Sequence, residues 1–555
     1  MSSNGLKFKI IISVIFLFLI ILPLVSFFVT SLAGVPNGIL LLLTNPKSLK
    51  FSLSGYISVF RNSYYSAAVL HTVILGISVV LLSFLLSLPI AILFSRTDSR
   101  AKIIIRTILM ISLAIPGFII AYVFIIMNSI SGSRFSIIYS FYGLLGVMTI
   151  AMIPFMVNYV TLSFNNLDYR LVEASLANGN SRIRTFFGVT IPLLTPGIVS
   201  GMVIVFLLTT GSLSVPLLLA PPSFQVISSS AYTQLFSFFN WQIATAMLFV
   251  LFLINLIAIV IQAFVTRKVS ATIQGKGFHQ NIIRKTGIKY ALVAYSAAIS
   301  LLPVIEVIII SLSGFSSKWI LSVIPQSFST SGFSSALSLY PFSIYATIIT
   351  TVAAGALAVV ISVLISYNSK VSGARSKRYL NLIIMLAFAM SNIIIGISFL
   401  SLYNNHYTGF LIDKIPVMLI LGYTTGRLGY ASNSVSISFD SLSNSLLEAA
   451  QVMGRKTYDL IVKILLPLVL PGILEGFLFV TVRSAIDYAS TLFLAPQNWY
   501  TLALSSYGLI TTGELHPGSS AAFLILIIVI PISALTYYFR QRTFQESQVS
   551  KLKNG

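Results

Sequence analysis

Cysteine is absent from the 555-residue chain, which excludes disulfides, thiolate metal sites and cysteine nucleophiles. Charge is nearly as scarce. Asp, Glu, Lys and Arg together make up 8% of the residues, against roughly 25% in an average soluble protein. The four histidines (His71, His279, His406 and His516) are scattered with no i, i+4 pair, so no conventional metal site is expected. A phosphate-cradling G-x4-G-K-[ST] loop is also missing. Its nearest fragment, Gly275-Lys276, has no upstream glycine at the required spacing. No nucleophile–base constellation stands out. The chain therefore reads as non-catalytic and without a cofactor of its own.

What is present in excess is apolar: 57% of the residues are hydrophobic. A soluble fold so poor in charge could not cover its surface, so most of the chain must face lipid. Apolar runs long enough to cross a bilayer, about 20 residues, fall at 10–32, 65–94, 104–128, 138–162, 195–220 and 241–265. Six more fall at 290–312, 342–367, 380–403, 415–437, 470–495 and 520–539. The first run follows Lys7 and Lys9 but is too long for a signal-peptide core and has no A-x-A site behind it, so it is read as a retained span.

The net charge of +22 does not imply a nucleic-acid partner, because no soluble stretch is long enough to present a basic face. With twelve spans and a cytoplasmic N-terminus, 26 of the 34 Lys and Arg residues fall on the inner side. Only Lys47, Lys50, Arg61, Arg134, Lys318 and Lys414 fall outside, and Arg427 and Arg483 fall within spans. This is the asymmetry of the positive-inside rule. It predicts a multi-pass protein of the cell membrane, in contact with lipid, with both termini cytoplasmic.

The sequence repeats. Residues 164–221 align without a gap to 439–496 at an offset of 275, with 17 of 58 positions identical. The matches include Phe164/Phe439, Glu173/Glu448, Gly179/Gly454, Pro192/Pro467 and Pro196-Gly197/Pro471-Gly472. Thr72 and Thr347 share the same offset. Six spans, an even number, separate equivalent points, so the halves insert in one orientation and form a parallel repeat. The expected organisation is a first transmembrane half at 1–265, a cytoplasmic linker at 266–289 and a second half at 290–555.

The best-matched stretch lies between spans, on the cytoplasmic side. In the second half it reads Glu448-Ala449-Ala450, Gly454 and Ile464-Leu465-Leu466-Pro467, which is E-A-A-x3-G-x9-I-x-L-P. The first half reads Glu173-Ala174-Ser175, Gly179 and Val189-Thr190-Ile191-Pro192. A short amphipathic helix, a glycine that ends it in the left-handed conformation and a proline at the start of the next element predict a helix–turn–helix knob. Ser445-x-x-Glu448 is also a capping box, but Arg170 stands at the corresponding place in the first half, so capping does not explain Glu173.

This pattern resembles the permease signature of ABC importers of the binding-protein-dependent type I class. The tandem layout is most similar to the ferric-iron and thiamine subgroup. The resemblance implies an all-α polytopic fold, with about twelve transmembrane helices in two pseudo-symmetric six-helix halves. It further implies two ATP-binding subunits, which hold ATP and Mg, docking on the cytoplasmic side at Glu173, Ala174, Gly179 and Pro192 and at Glu448, Ala449, Ala450, Gly454 and Pro467. A substrate-binding protein would deliver cargo, with ferric iron or thiamine as the implied substrates. The Ser-rich outer segments 33–63 and 313–341, with Tyr56 and Phe315, are candidates for receiving it.

Ionisable residues within spans mark candidate translocation paths. Arg483 and Asp487 are four apart and suited to pair along one helix. Arg427 has no charged neighbour one turn away and is suited to an anionic group or to Asp487 across the bundle. The first half has Leu208 and Ser212 where the second has Arg483 and Asp487. Asn392 follows Ser391 where the first half has Pro116-Gly117, and both pairs mark expected helix breaks. Glu306 lies deep in the seventh span with no evident partner. The alternative to an ATP-driven importer is an ion-coupled secondary transporter, which has no use for a paired cytoplasmic motif.

Overall fold

The computed structural model describes residues 3–165, 167–270, 283, 286–319, 322, 324–371, 373–442 and 460–553. These residues are almost wholly helical. Apart from turns and connections, the described strands are a two-stranded antiparallel pairing of Ser316–Lys318 with Ser327–Phe328. Helices are what lipid demands, since each satisfies its own backbone within one segment.

Among the described residues, nine helices are long and apolar enough to span a membrane. The other three expected spans are also helical, but interrupted or polar. Leu382–Ala389 and Asn392–Tyr403 meet at a 98° bend. Ala101–Ser112 and Gly117–Ile130 are separated at the matching place in the first half. Val417–Ser441 is a single helix of 25 residues that carries Arg427 and a run of small polar residues. The expected breaks at Pro116-Gly117 and Ser391-Asn392 are thus present. Two further breaks were not expected. Hydropathy makes each of the runs 195–220 and 470–495 one span, but the helices end at Thr210 and Ala485, and short helices Ser214–Leu219 and Ala489–Leu494 follow.

The duplication carries through element by element. Adding 275 takes Ile191–Thr210 to Leu466–Ala485, Ser214–Leu219 to Ala489–Leu494, and Ile227–Phe236 to Leu502–Thr511. Register is preserved at side-chain resolution. Gly197 packs against Ser163 Oγ and Gly472 against Ser438 Oγ, in both cases too closely to admit a Cβ. Such close approaches are how helices pack where no hydrophobic force drives them together.

The Thr72/Thr347 match also acquires a physical meaning. Thr72 Oγ1 accepts the backbone N–H of Ile227, and Thr347 Oγ1 accepts that of Leu502, each at 2.8 Å. Each hydroxyl then donates to a carbonyl one turn back, Ala68 or Ser343, at 2.7 Å. The threonines satisfy otherwise orphaned donors at the starts of Ile227–Phe236 and Leu502–Thr511. Both are almost fully buried, so Thr72→Val and Thr347→Val are each expected to destabilise the chain by about 1–2 kcal/mol, read as a lower melting temperature. Unchanged melting would show that the caps contribute nothing.

By contacts the chain forms two compact units, and neither is a continuous stretch of sequence. One comprises Met1–Ile57, Gln234–Phe249 and Thr330–Gly555; the other comprises Ser58–Thr233 and Val250–Ser329. The opening span of each half therefore packs within the unit built mainly from the other half. In the first unit, Ser26 Oγ donates to Ser401 O at 3.0 Å, Asn37 N to the same carbonyl at 2.9 Å, and Tyr403 OH to Phe18 O at 2.9 Å. In the second unit, Tyr295 OH donates to Leu86 O at 3.0 Å, and Lys289 Nζ lies 2.5 Å from Asp98 Oδ1. The lysine's hydrogen bond holds the exposed Asp98 carboxyl below the usual carboxylate range.

Candidate functional site

The first-half motif is built as a helix, a turn and a second helix. Tyr169–Ala177 is capped by Asp168, whose carboxylate accepts Arg170 N–H at 3.1 Å. Glu173 therefore lies mid-helix rather than at a capping-box position, and it is exposed together with Ala174. Gly179 follows with φ +82°, a left-handed conformation that lets the chain reverse at little cost. Ser181 then caps the next helix by accepting Arg184 N–H.

Ser175, one of the departures from the pattern, is buried in the knob. Its hydroxyl lies 3.0 Å from Thr185 Oγ1, and Asn180 Nδ2 donates to it at 3.3 Å. The second half has Ala450 and Leu460 at the places of Ser175 and Thr185, so the departure is matched by a partner that holds the two helices together.

Pro192 does not begin a separate element. The helix is continuous from Arg182 to Thr210, with a wide π turn over Phe186–Thr190 immediately before the proline. The same turn, Leu460–Leu465, precedes the exposed Pro467. A π turn absorbs the ring and the hydrogen bond that proline cannot make. Glu448, Ala449, Ala450 and Gly454 lie outside the described residues.

Two basic residues whose place in the sequence marks only topology reach this region. Arg96, at the end of Ser63–Arg96, is buried with its guanidinium 4.7 Å from the Tyr169 ring centroid and 5.6 Å from that of Phe164. Cation–π contacts of this kind tie the end of the second span to the start of the knob. In the second half, Lys370 Nζ donates to the carbonyls of Phe439 and Leu442, each at 2.6 Å. The repeat match Phe164/Phe439 was the available signal, since each phenylalanine marks the anchor point.

The polar residues of the second half assemble within one unit. Arg427 Nη2 lies 3.3 Å from Asp487 Oδ2, with both side chains almost fully buried, and donates to Arg483 O at 3.3 Å. The guanidinium stacks 5.0 Å from the Tyr423 ring centroid. Asn392 Nδ2 donates to Asp487 Oδ1 at 2.8 Å. Asp487 Oδ2 also accepts from Ser490 N at 3.1 Å and from Ser490 Oγ. The ion pair expected along one helix, Arg483 with Asp487, gives way to the pair across the bundle, because the helix ends at Ala485 and Asp487 lies in the following turn. Ser212 is in the other unit, where its carbonyl accepts Ser228 Oγ at 2.7 Å.

His71 is satisfied as an ordinary structural histidine, with Nδ1 3.0 Å from Gln225 O and the ring stacked on Phe224. Tyr56 is half-buried, its hydroxyl 2.5 Å from Ser31 Oγ, and burial raises its pKa. Glu306 is 3% exposed, and neither carboxylate oxygen has a hydrogen-bond partner among the described residues. Burying such a group is unfavourable. Glu306→Met is therefore expected to raise stability by about 1–3 kcal/mol, checked as an increase in melting temperature; a decrease would reveal a partner.

The family of binding-protein-dependent transport system inner membrane components matches residues 84–271 and again 358–545. The chain belongs to this family. Its helical, multi-pass architecture and paired repeat make it a tandem-fused type I ABC permease that resembles the ferric permeases. It is 23% identical over 480 residues to a ferric-iron transport system permease protein of Haemophilus influenzae, covering 84% of this chain and 89% of that protein. A ferric transport system permease protein of Actinobacillus pleuropneumoniae is 21% identical over 407 residues, 72% of this chain and 58% of that one. A molybdenum transport system permease protein of Haemophilus influenzae is 31% identical over 150 residues, 25% of this chain and 66% of that one. Both family matches begin after the opening span of their half, the span that packs in the other unit.

Proposed function

We propose that this permease forms the translocation path of an ATP-driven importer. In this reading, halves 1–265 and 290–555, joined by the linker 266–289, are coupled to two ATP-binding subunits through Glu173–Pro192 and Glu448–Pro467. The subunits hold ATP and Mg, a binding protein delivers cargo from outside, and both termini are cytoplasmic. The observation that carries this reading is the exposed apolar surface on the first knob. Ile183 is 73% exposed and Phe187 66%, beside exposed Leu171 and Leu176. Lipid does not account for that surface. The 20 residues Ile191–Thr210 rise about 30 Å at 1.5 Å each, which is enough to cross the hydrocarbon core. That leaves Arg182–Thr190 and the preceding helix outside it. An apolar patch rimmed by Arg170, Glu173, Arg182 and Arg184 is the makeup of a docking surface.

Ferric iron is the favoured cargo of the two implied by the resemblance, because a ferric permease aligns over most of both chains. The molybdenum permeases favour an oxyanion as the second reading. ATPase activity of the chain reconstituted with a candidate ATP-binding subunit tests the proposal. Hydrolysis that depends on the chain and rises with loaded binding protein is the expected result. Ion-driven uptake by the chain alone, with no subunit bound, would overturn it in favour of a secondary transporter.

A further inference from the structure

A short helix, Ser54–Arg61, lies between the spans Ile10–Ala33 and Ser63–Arg96. Leu53 immediately precedes it, and its carbonyl accepts Ile57 N–H at 2.9 Å. Leu53, Ile57 and Phe60 fall at i, i+4 and i+7, a spacing that aligns them in one stripe along the helix. They are 62%, 55% and 62% exposed. The packed side carries Gly55, Tyr56 and Val59. A Cβ at Gly55 would come within 3.0 Å of Gln242 Cγ and 3.3 Å of Ala246 Cβ, and the Tyr56 ring meets that of Phe249 edge-on at 6.2 Å. At 100° per residue, Ser54, Ser58 and Arg61 make up the third, polar side.

These contacts set the depth of the helix. Trp241–Thr266 is a span of 26 residues, about 39 Å long, against a hydrocarbon core of about 30 Å. Centred in the bilayer, it puts Gln242 among the headgroups and Ala246 just inside the hydrocarbon. Gln242 Nε2 also donates to Leu32 O, at the end of the first span, and to Ser52 O, each at 3.2 Å, while its Oε1 accepts Ser54 Oγ at 3.1 Å. The start of Ser54–Arg61 is thereby pinned where headgroups meet acyl chains. Charge adds to this. Lys47, Lys50 and Arg61, half of the six basic residues that fall outside, lie in segment 33–63, which has no Asp or Glu. All three are exposed. In segment 313–341 Lys318 is the single basic residue, and the exposed positions of its helix Ser331–Leu339 are Ser331, Ser334, Ser338 and Leu339. Joining two spans therefore does not in itself call for an apolar stripe.

We propose that Ser54–Arg61 is an interfacial helix that binds anionic phospholipid. Leu53, Ile57 and Phe60 enter the acyl boundary, and Lys47, Lys50 and Arg61 meet the lipid phosphates. An apolar stripe beside a basic flank without acids is the makeup of a helix lying in the plane of an anionic bilayer surface. The stripe is thus assigned to lipid and not to a soluble protein that delivers cargo. The inference goes beyond the importer reading and needs only insertion in a membrane, so it stands or falls apart from subunit docking.

Because the chain has no cysteine, a single nitroxide label can be placed without removing any native residue but its own. The test compares Ile57→Cys and Phe60→Cys with Leu81→Cys, exposed on a span, and Ser334→Cys, exposed on the serine side of Ser331–Leu339. The full chain is labelled in nanodiscs of phosphatidylcholine and phosphatidylglycerol. Labels at positions 57 and 60 are expected to collide more with oxygen than with a water-soluble nickel chelate, as at position 81, while position 334 shows the reverse. Phosphatidylglycerol carried through detergent purification is expected to fall about fivefold or more in the triple variant Lys47→Gln, Lys50→Gln, Arg61→Gln. Its melting temperature should stay near wild type, since all three side chains are on the surface. Preferential collision of labels 57 and 60 with the nickel chelate would overturn the inference and return the stripe to a soluble partner. Equal retention of phosphatidylglycerol by the folded triple variant would overturn it as well.

Discussion

Glu173→Arg and Ile183→Asp, made singly, are each expected to reduce copurification of the ATP-binding subunit at least tenfold and to lower coupled ATPase activity in step. Ile183 is the most exposed of the apolar residues on the first knob, and Glu173 is exposed on the helix before it. Truncating a well-packed anchor at an interface costs about 2 kcal/mol or more, and each 1.4 kcal/mol is about tenfold in affinity. Introducing a charge at Ile183, or reversing the charge at Glu173, adds desolvation or repulsion to that loss. Both side chains lie on the surface, so the melting temperature of the isolated chain should hardly move, because surface substitutions usually change stability by less than about 0.5 kcal/mol. That combination separates docking from folding. Normal subunit retention in both variants would remove the knob from the coupling path. Glu448→Arg is the counterpart in the second half, and comparing it with Glu173→Arg ranks the two docking sites.

Hydropathy located the spans because a helix in lipid must be apolar over its whole length. It did not show that helices end at Thr210 and Ala485, since the apolar runs resume after Ser212 and Asp487. That blindness is why Arg483 and Asp487 were expected to pair along a helix that in fact ends between them. The constant offset of 275 carried further than the motif itself. It paired Thr72 with Thr347 and Phe164 with Phe439, without indicating the capping and anchoring roles that the structure shows. Gly179 was legible because only a left-handed residue lets so short a helix turn back. The exchange of opening spans between units was not legible. Periodicity tells a helix which face to bury, not which neighbour to bury it against.

Removing Asp487 alone is expected to be the most destabilising single change in the second half. In Asp487→Ala the almost fully buried Arg427 guanidinium loses its counter-ion. Asn392 and Ser490 lose their acceptor at the same time. Breaking one side of a buried pair costs about 3–5 kcal/mol, whereas exchanging the whole pair for residues of suitable shape is often neutral. Arg427→Met combined with Asp487→Ser should therefore melt close to wild type, because Met152 and Ser212 already occupy the matching places in the first half. The double-mutant cycle should yield an interaction energy of at least about 2 kcal/mol. Additive losses would mean that the two side chains stabilise the fold independently, and that the first half is not a template for the second at this site.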